Sequence, residues 1–237
     1  MSNYIDFHSH ILPGIDDGSK SLDQSLMMLR MEAEQGISRV VATPHFYPQH
    51  DSLDRFLDRR ARAEEMLREQ MAKESGLPRL NIGAEVYYFS GISDSDVLSE
   101  LTIDSGRCIL IEMPHAPWTE TMYRELENLY VKRGIVPIIA HVDRYIRPFH
   151  THGIPKRLAE LPVMVQANAE FFLDRSTASM ALRMLKKDRI HLLGSDCHNL
   201  KSRKPNLGSA LDVIETRLGH EVLAKVNSHG RRLLQGR

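Results

Sequence analysis

Ser38-Arg39-Val40-Val41-Ala42-Thr43-Pro44-His45 is a short apolar run, rich in branched side chains, that ends in a histidine. Gly36 precedes it and Pro44 cuts it off, which predicts a buried strand ending near Thr43. Before it, residues 21–35 carry a helical pattern, with Ser21 and Gln24 at capping-box spacing and Gly36 as the stop. After it, a charged amphipathic helix is predicted over residues 52–75, closed by Gly76.

The same alternation runs outward to both ends. Strands are predicted at residues 4–7, 80–85, 108–112, 135–140, 163–167 and 190–194. Helices are predicted at 119–133, 154–161 and 176–187, with a short helix at 93–101 and one or two outer helices between 207 and 234. With the run at Ser38 that makes seven strands, most followed by a helix, and no linker between them. Alternation of this kind implies an α/β fold with a parallel sheet and helices outside. Either an open sheet or an incomplete barrel satisfies it, in one domain covering residues 1–237.

The strand ends favour the barrel, because parallel barrels gather functional groups at the C-terminal ends of their strands. The first strand ends in His8-Ser9-His10, the second in Thr43-Pro44-His45, the third at Glu85 and the fourth at Glu112. The fifth runs into His141-Val142-Asp143-Arg144 and the seventh into Ser195-Asp196-Cys197-His198. The sixth ends in Gln166-Ala167-Asn168, polar but weak as metal ligands. A lone strand-end histidine is ordinarily a hydrogen-bonded surface residue, and a lone glutamate there a rim charge. Recurrence of one residue class at one end of the sheet is harder to obtain by accident.

His8 and His10 are two apart, so an extended chain points both imidazoles to one side. Asp17, in the loop that follows, adds a carboxylate. Imidazole with carboxylate suits manganese, iron or zinc, and nine candidate ligands are too many for one ion. Two or three divalent ions acidify bound water and neutralise a phosphoryl group during in-line attack. Arg144 and Arg203 follow ligand positions closely, and a guanidinium fork matches phosphate oxygens.

These motifs resemble those of bacterial metal-dependent tyrosine phosphatases in the polymerase-and-histidinol-phosphatase (PHP) superfamily, the CpsB/YwqE type associated with capsular and exopolysaccharide synthesis. His8-Ser9-His10-Ile11-Leu12-Pro13-Gly14-Ile15-Asp16-Asp17-Gly18 resembles the opening motif. Ala42–His45, Gly83–Val86, Leu110–Glu112, Ala140-His141 and Gly194–Asn199 are similar to later motifs in the same order. The resemblance implies a distorted seven-stranded (β/α) barrel with three divalent ions, commonly manganese, with iron, cobalt or zinc as alternatives. It implies His8, His10, Asp17, His45, Glu85, Glu112, His141, Asp196 and His198 as ligands, Glu85 bridging two ions, and Arg144 and Arg203 as catalytic phosphate-binding residues. The implied substrate is a phosphotyrosine protein, typically the tail of a cytoplasmic tyrosine kinase of polysaccharide export. The chain departs from the family at His141-Val142-Asp143-Arg144, where His-Pro-Glu-Arg is usual.

Other residues are read more plainly. Asp16 orients the loop, and Asp143 and Asp6 support Arg144 or a ligating histidine. Phe46, Tyr47, Tyr145 and Phe149 flank a phenol ring or, more simply, pack loops. His50, His115, His150, His152, His191, His220 and His229 are ordinary surface or packing residues, His115 lying nearest a ligand. Trp118 has no assigned role. Cys197 to Arg203 satisfies the C-x5-R spacing of cysteine phosphatases. Asp196 beside it would raise the thiol pKa, and the loop lacks a glycine, so metal chemistry is preferred. Two further readings are a small-molecule phosphatase of histidinol-phosphate type and a catalytically silent PHP binding module, against which all nine filled ligand positions speak.

Composition bounds the rest. Lys plus Arg equals Asp plus Glu at 31 each in 237 residues, so a broad nucleic-acid surface is not expected, although a local basic patch remains compatible. No secretory signal or membrane-spanning run is visible, and the two cysteines form no disulfide framework. A cytoplasmic protein is the plain expectation, and the outer helices are compatible with a homo-oligomer.

Overall fold

The computed structural model describes residues 4–146 and 153–235. The chain alternates strands and helices. In order come β1 (Tyr4–Ser9), α1 (Leu22–Glu34), β2 (Ile37–Ala42), β3 (His45–Phe46), α2 (Leu53–Met71), β4 (Arg79–Ile82) and β5 (Glu85–Tyr87). Three short 3-10 turns within residues 92–105 replace the single helix expected at 93–101. Then come β6 (Cys108–Glu112), α3 (Glu120–Arg133), β7 (Val136–Ile139), α4 (Asp143–Ile146), α5 (Ile154–Leu158) and β8 (Met164–Asn168). The chain finishes with α6 (Ala169–Leu173), α7 (Ala178–Lys186), β9 (Leu192–Gly194), α8 (Leu207–Leu218) and α9 (His220–Leu234).

Local chemistry sets the helix ends. Ser21 Oγ accepts a hydrogen bond from Gln24 N at 3.2 Å, capping α1, and Gly36 ends the turn with φ of +78°. Gln24 Oε1 in return accepts from Lys20 N at 2.9 Å, one residue earlier than the Ser21 N of a capping box. α3 starts under Thr119, whose Oγ1 accepts from Met122 N at 3.3 Å, and stops at Gly134 with φ of +65°.

All strand pairs are parallel, in a three-stranded sheet ordered β1-β2-β4 and a six-stranded sheet ordered β3-β5-β6-β7-β8-β9. Seven continuous strands were expected, and this is where the architecture differs. The second and third apolar runs are each split, into β2 and β3 and into β4 and β5. Pro44 has no N–H to donate, so the ladder is interrupted there and resumes with His45 opposite Glu85. The sheets curl until their ends approach: Asp196 N donates to His8 O at 2.7 Å, and His10 N to Cys197 O at 2.9 Å.

Strand alternation then aims the site. Cys108, Leu110 and Glu112 share one face of β6, as do Leu192 and Gly194 of β9. The apolar members join Ile5, Phe7, Val41 and Ile138 in an inner cluster beneath the polar strand ends. A larger core, including Leu29, Phe56, Leu126, Phe172 and Ile214, packs the helices against the outer face. Each such side chain contributes about 1.5–3 kcal/mol on full burial. Gly194 is required by contact: a Cβ there would lie 2.6 Å from His8 Cβ.

Candidate metal centre

The carboxylate of Glu85, at the start of β5, sits among four imidazoles. Its Oε2 lies 3.2 Å from His8 Nε2, 3.3 Å from His10 Nε2 and 3.0 Å from His45 Nδ1, and its Oε1 lies 2.8 Å from His141 Nε2. Asp196 Oδ1 is a second focus, 3.6 Å from His8 Nε2, 3.5 Å from His10 Nε2 and 3.6 Å from His198 Nδ1. Glu112 Oε1 lies 3.7 Å from His141 Nε2. Asp17 Oδ1 lies 3.5 Å from His45 Nε2 and 3.4 Å from His198 Nε2, on a side chain that is otherwise exposed. All nine residues singled out as ligands therefore converge. Among the described residues, none of His50, His115, His191, His220 and His229 joins these groups. His150, His152 and Phe149 lie outside the described residues.

Local backbone geometry turns two of these side chains inward. His141 has φ of +29° and Asp196 φ of +53°, in the left-handed region that non-glycine residues avoid. Such conformations cost about 1–3 kcal/mol each and concentrate at functional sites. Here the surrounding bonds hold them. Gln166 Oε1 accepts from His141 N at 2.6 Å and lies 3.3 Å from His8 Nδ1. Gln166 Nε2 donates to Asn168 Oδ1, and Asn168 Nδ2 donates to Asp196 Oδ2 at 2.9 Å. The sixth strand end thus braces two others. Its signal was present in the sequence: Gln166 and Asn168 are spaced like His8 and His10.

Asp16 behaves as expected of a loop-orienting residue. Its Oδ2 pairs with His10 Nδ1 at 2.8 Å and accepts from His45 N at 3.1 Å, while Oδ1 accepts from Gly18 N. Binding one ring nitrogen leaves His10 Nε2 facing Glu85. Asp6 and Asp143 bond mainly to backbone N–H groups. Asp6 accepts from His8 N, Ser195 N and Ser195 Oγ, and Asp143 Oδ1 accepts from Asn168 N. Asp6 thus holds the ligating His8 through its backbone N–H, and the charge of Asp143 favours the Arg144 guanidinium, as expected of both.

The aromatic residues divide. Phe46 packs on Phe56, and buried Tyr145 accepts Met113 N at its hydroxyl. Trp118 lies edge-on to Tyr145 with ring centroids 5.1 Å apart, and exposed His115 stacks loosely beside that ring, so both secure the loop after β6. Tyr145 also packs on the His141 ring, with centroids 5.6 Å apart, while the Tyr47 hydroxyl reaches into the site, 3.2 Å from His45 Nδ1 and 3.5 Å from Glu112 Oε2.

Electrostatics fit a cation. Glu85 and Asp196 are almost fully buried, which opposes ionisation, yet the imidazoles around them hold both carboxyls well below the usual range. Burial likewise opposes protonation of His8 and His10, but facing carboxylates raise both. His141 and His198 are pushed down to about 4, mainly by burial, and so present neutral rings. Glu85 Oε2 and His198 Nε2 are buried and face His45 Nδ1 and Asp17 Oδ1 without an aligned hydrogen bond. A pocket whose field favours positive charge, and whose donors lack aligned hydrogen bonds at these atoms, suits divalent metal. The donor atoms of His8, His10 and Glu85 lie within 4.8 Å of one another, as do those of His45, Glu85 and Glu112, and those of His10, Asp17, His45 and His198.

Arg144 and Arg203 flank this cluster, partly exposed. Arg144 Nη2 lies 2.5 Å from Asp196 Oδ2 and Arg203 Nη2 lies 2.6 Å from Asp196 Oδ1. Cys197, by contrast, is fully buried, and burial together with Glu32 and Asp6 pushes its thiol well above the ordinary range. A thiol that neither ionises nor reaches solvent is no nucleophile. Cys197→Ser is therefore expected to hydrolyse p-nitrophenyl phosphate at close to the parent rate. A dead serine variant that still folds and binds metal would reverse this.

Comparison with known proteins agrees with the geometry. A family model described as "Capsular polysaccharide synthesis, CpsB/CapC" matches residues 4–234. The chain is 29% identical over 230 residues to the tyrosine-protein phosphatase CpsB of Streptococcus pneumoniae, covering 91% of each. It is 28% identical to the tyrosine-protein phosphatase YwqE of Bacillus subtilis, covering 98% of this chain and 91% of the other. A crystal structure from work on YwqE of Bacillus subtilis and CpsB of Streptococcus pneumoniae, described as unique metal-dependent tyrosine phosphatases, superposes with a TM-score of 0.86. It is 26% identical, with 98% of this chain and 95% of that one covered.

Proposed function

Since the chain belongs to the CpsB/CapC family of capsular polysaccharide synthesis, we propose that it is a metal-dependent protein-tyrosine phosphatase. The observation that carries this is the convergence of four imidazoles on Glu85 beside two arginines. The reading treats residues 1–237 as one metallophosphatase domain and its two sheets as one distorted barrel of seven strand-helix units.

Three divalent ions, manganese first among them, would be held by His8, His10, Asp17, His45, Glu85, Glu112, His141, Asp196 and His198, with Glu85 shared. When bound they supply acidified water and neutralise phosphoryl charge. The chain's own residues do the rest. Arg144 and Arg203 grip the phosphate oxygens, two guanidinium forks approaching from α4 and from the segment after β9. Gln166, Asn168 and Asp16 keep the imidazoles and Asp196 in place, so binding does not have to reorganise them. Asp17, the most exposed of the nine, sits at the mouth.

The substrate would be a tyrosine-phosphorylated protein, with a cytoplasmic kinase of polysaccharide export as the natural candidate. No helix among the described residues is long and apolar enough to cross a membrane. Turnover of a phosphotyrosyl peptide against histidinol phosphate tests the assignment. The peptide should have the higher kcat/KM, and the reverse order would make the enzyme a small-molecule phosphatase. Arg144→Ala and Arg203→Ala should each lower kcat/KM on the order of 10²-fold, the cost of losing a charge-assisted contact. Metal content should stay at the parent level in both. Unchanged kinetics in either variant would remove that arginine from the phosphate site.

A further inference from the structure

The opposite end of the sheet carries a second cluster of charge. Arg39 of β2 and Arg79 of β4 are direct register partners across two parallel strands. Arg231, in the last turn of α9, lines the same cleft, together with Ser38, Gln235 and Ile5. These strand residues lie at or near the N-terminal ends of β1, β2 and β4, whereas His8 lies at the C-terminal end of β1 and His10, Glu85 and Asp196 follow the C-terminal ends of β1, β4 and β9.

Like charges directly opposite on neighbouring strands destabilise a sheet. Several arginines elsewhere pair with carboxylates: Arg30 with Glu74, Arg68 with Glu64, Arg133 with Asp96 and Arg157 with Glu120. Among the described residues, no carboxylate pairs with Arg39, Arg79 or Arg231, and none lines the cleft. The chain as a whole carries no net charge, so this is a local concentration rather than a general basic surface.

We infer that this cleft is a binding site for the phosphate group of a small soluble molecule, separate from the metal centre. Three guanidinium groups supply forked donors that match phosphate oxygens, and the anion offsets a repulsion that the fold otherwise carries. Gln235 adds a neutral donor, and Ile5 forms an apolar wall; the Ser38 hydroxyl is spent on Tyr4 O. Among the described residues, no aromatic side chain on which a base would stack lines the recess, and its concave shape fits a small anion better than a membrane surface.

The test is calorimetric titration of the metal-loaded protein with inorganic phosphate. It compares the parent, Arg39→Gln/Arg79→Gln and Arg144→Gln/Arg203→Gln. The parent should show two classes of site. The first variant should lose one, with at least about tenfold weaker binding, the result of removing charged hydrogen-bond donors. Its phosphotyrosyl-peptide kinetics should be unchanged. The second variant should retain the site that the first one loses. In phosphate-free buffer the Arg39→Gln/Arg79→Gln protein should melt at the parent temperature or above it, because paired like charges are gone. Three outcomes would overturn the inference: an Arg39→Gln/Arg79→Gln titration identical to the parent, a lower melting temperature without phosphate, or retention on phosphatidylglycerol vesicles with no saturable phosphate binding.

Discussion

Glu85→Ala is expected to lower kcat/KM for a phosphotyrosyl peptide by at least about 10³-fold, since metal charge stabilisation is worth several kcal/mol and each 1.36 kcal/mol is about tenfold. Glu85 touches His8, His10, His45 and His141. Removing its carboxylate takes away the one acid common to two of the three donor groups. Glu85→Gln separates charge from packing, because it preserves volume and still loses the anion. Both variants should melt cooperatively and both should lose bound metal. An active glutamine variant would show that the carboxylate is a structural partner of the imidazoles and nothing more.

Chelation is the second large effect. A chelator strong enough to strip divalent ions should reduce hydrolysis by a similar factor, again at least about 10³-fold. Manganese added back should restore it. Among the described residues, neither cysteine reaches the site as an alternative nucleophile. Cys197 is buried against Glu32, its thiol pushed far above neutral pH. Activity that survives complete removal of metal would require a route through a side chain the structure does not present. The pairing with Cys197→Ser makes the two outcomes opposite: the serine variant stays active while the chelated parent does not.

Most of this site was legible because strand ends can be read from apolar runs. Glu85 alone looks like a rim charge, but its place after the third run aligned it with His8, His45 and His141. Helix ends were legible where a cap residue and a glycine mark them, as at Ser21 and Gly36. The hidden parts depend on contacts distant in sequence. The interruptions around Pro44 and Gly83 follow from hydrogen bonds between runs, and apolar pattern does not reveal them. The positive φ of His141 and Asp196 leaves no trace in composition, because neighbouring bonds impose it. Gln166 and Asn168 were passed over as weak ligands. Their role is to hold His141 and Asp196 rather than to bind an ion. Asp143, expected to support Arg144, does so through its charge and also ties to the backbone of β8, which no sequence pattern shows.

The most direct measurement is elemental analysis of the freshly purified protein, taken with phosphopeptide turnover on the same sample. The account predicts more than one equivalent of divalent metal per chain, with activity rising and falling in proportion as metal is removed and returned. Full activity in a preparation free of divalent metal would contradict it.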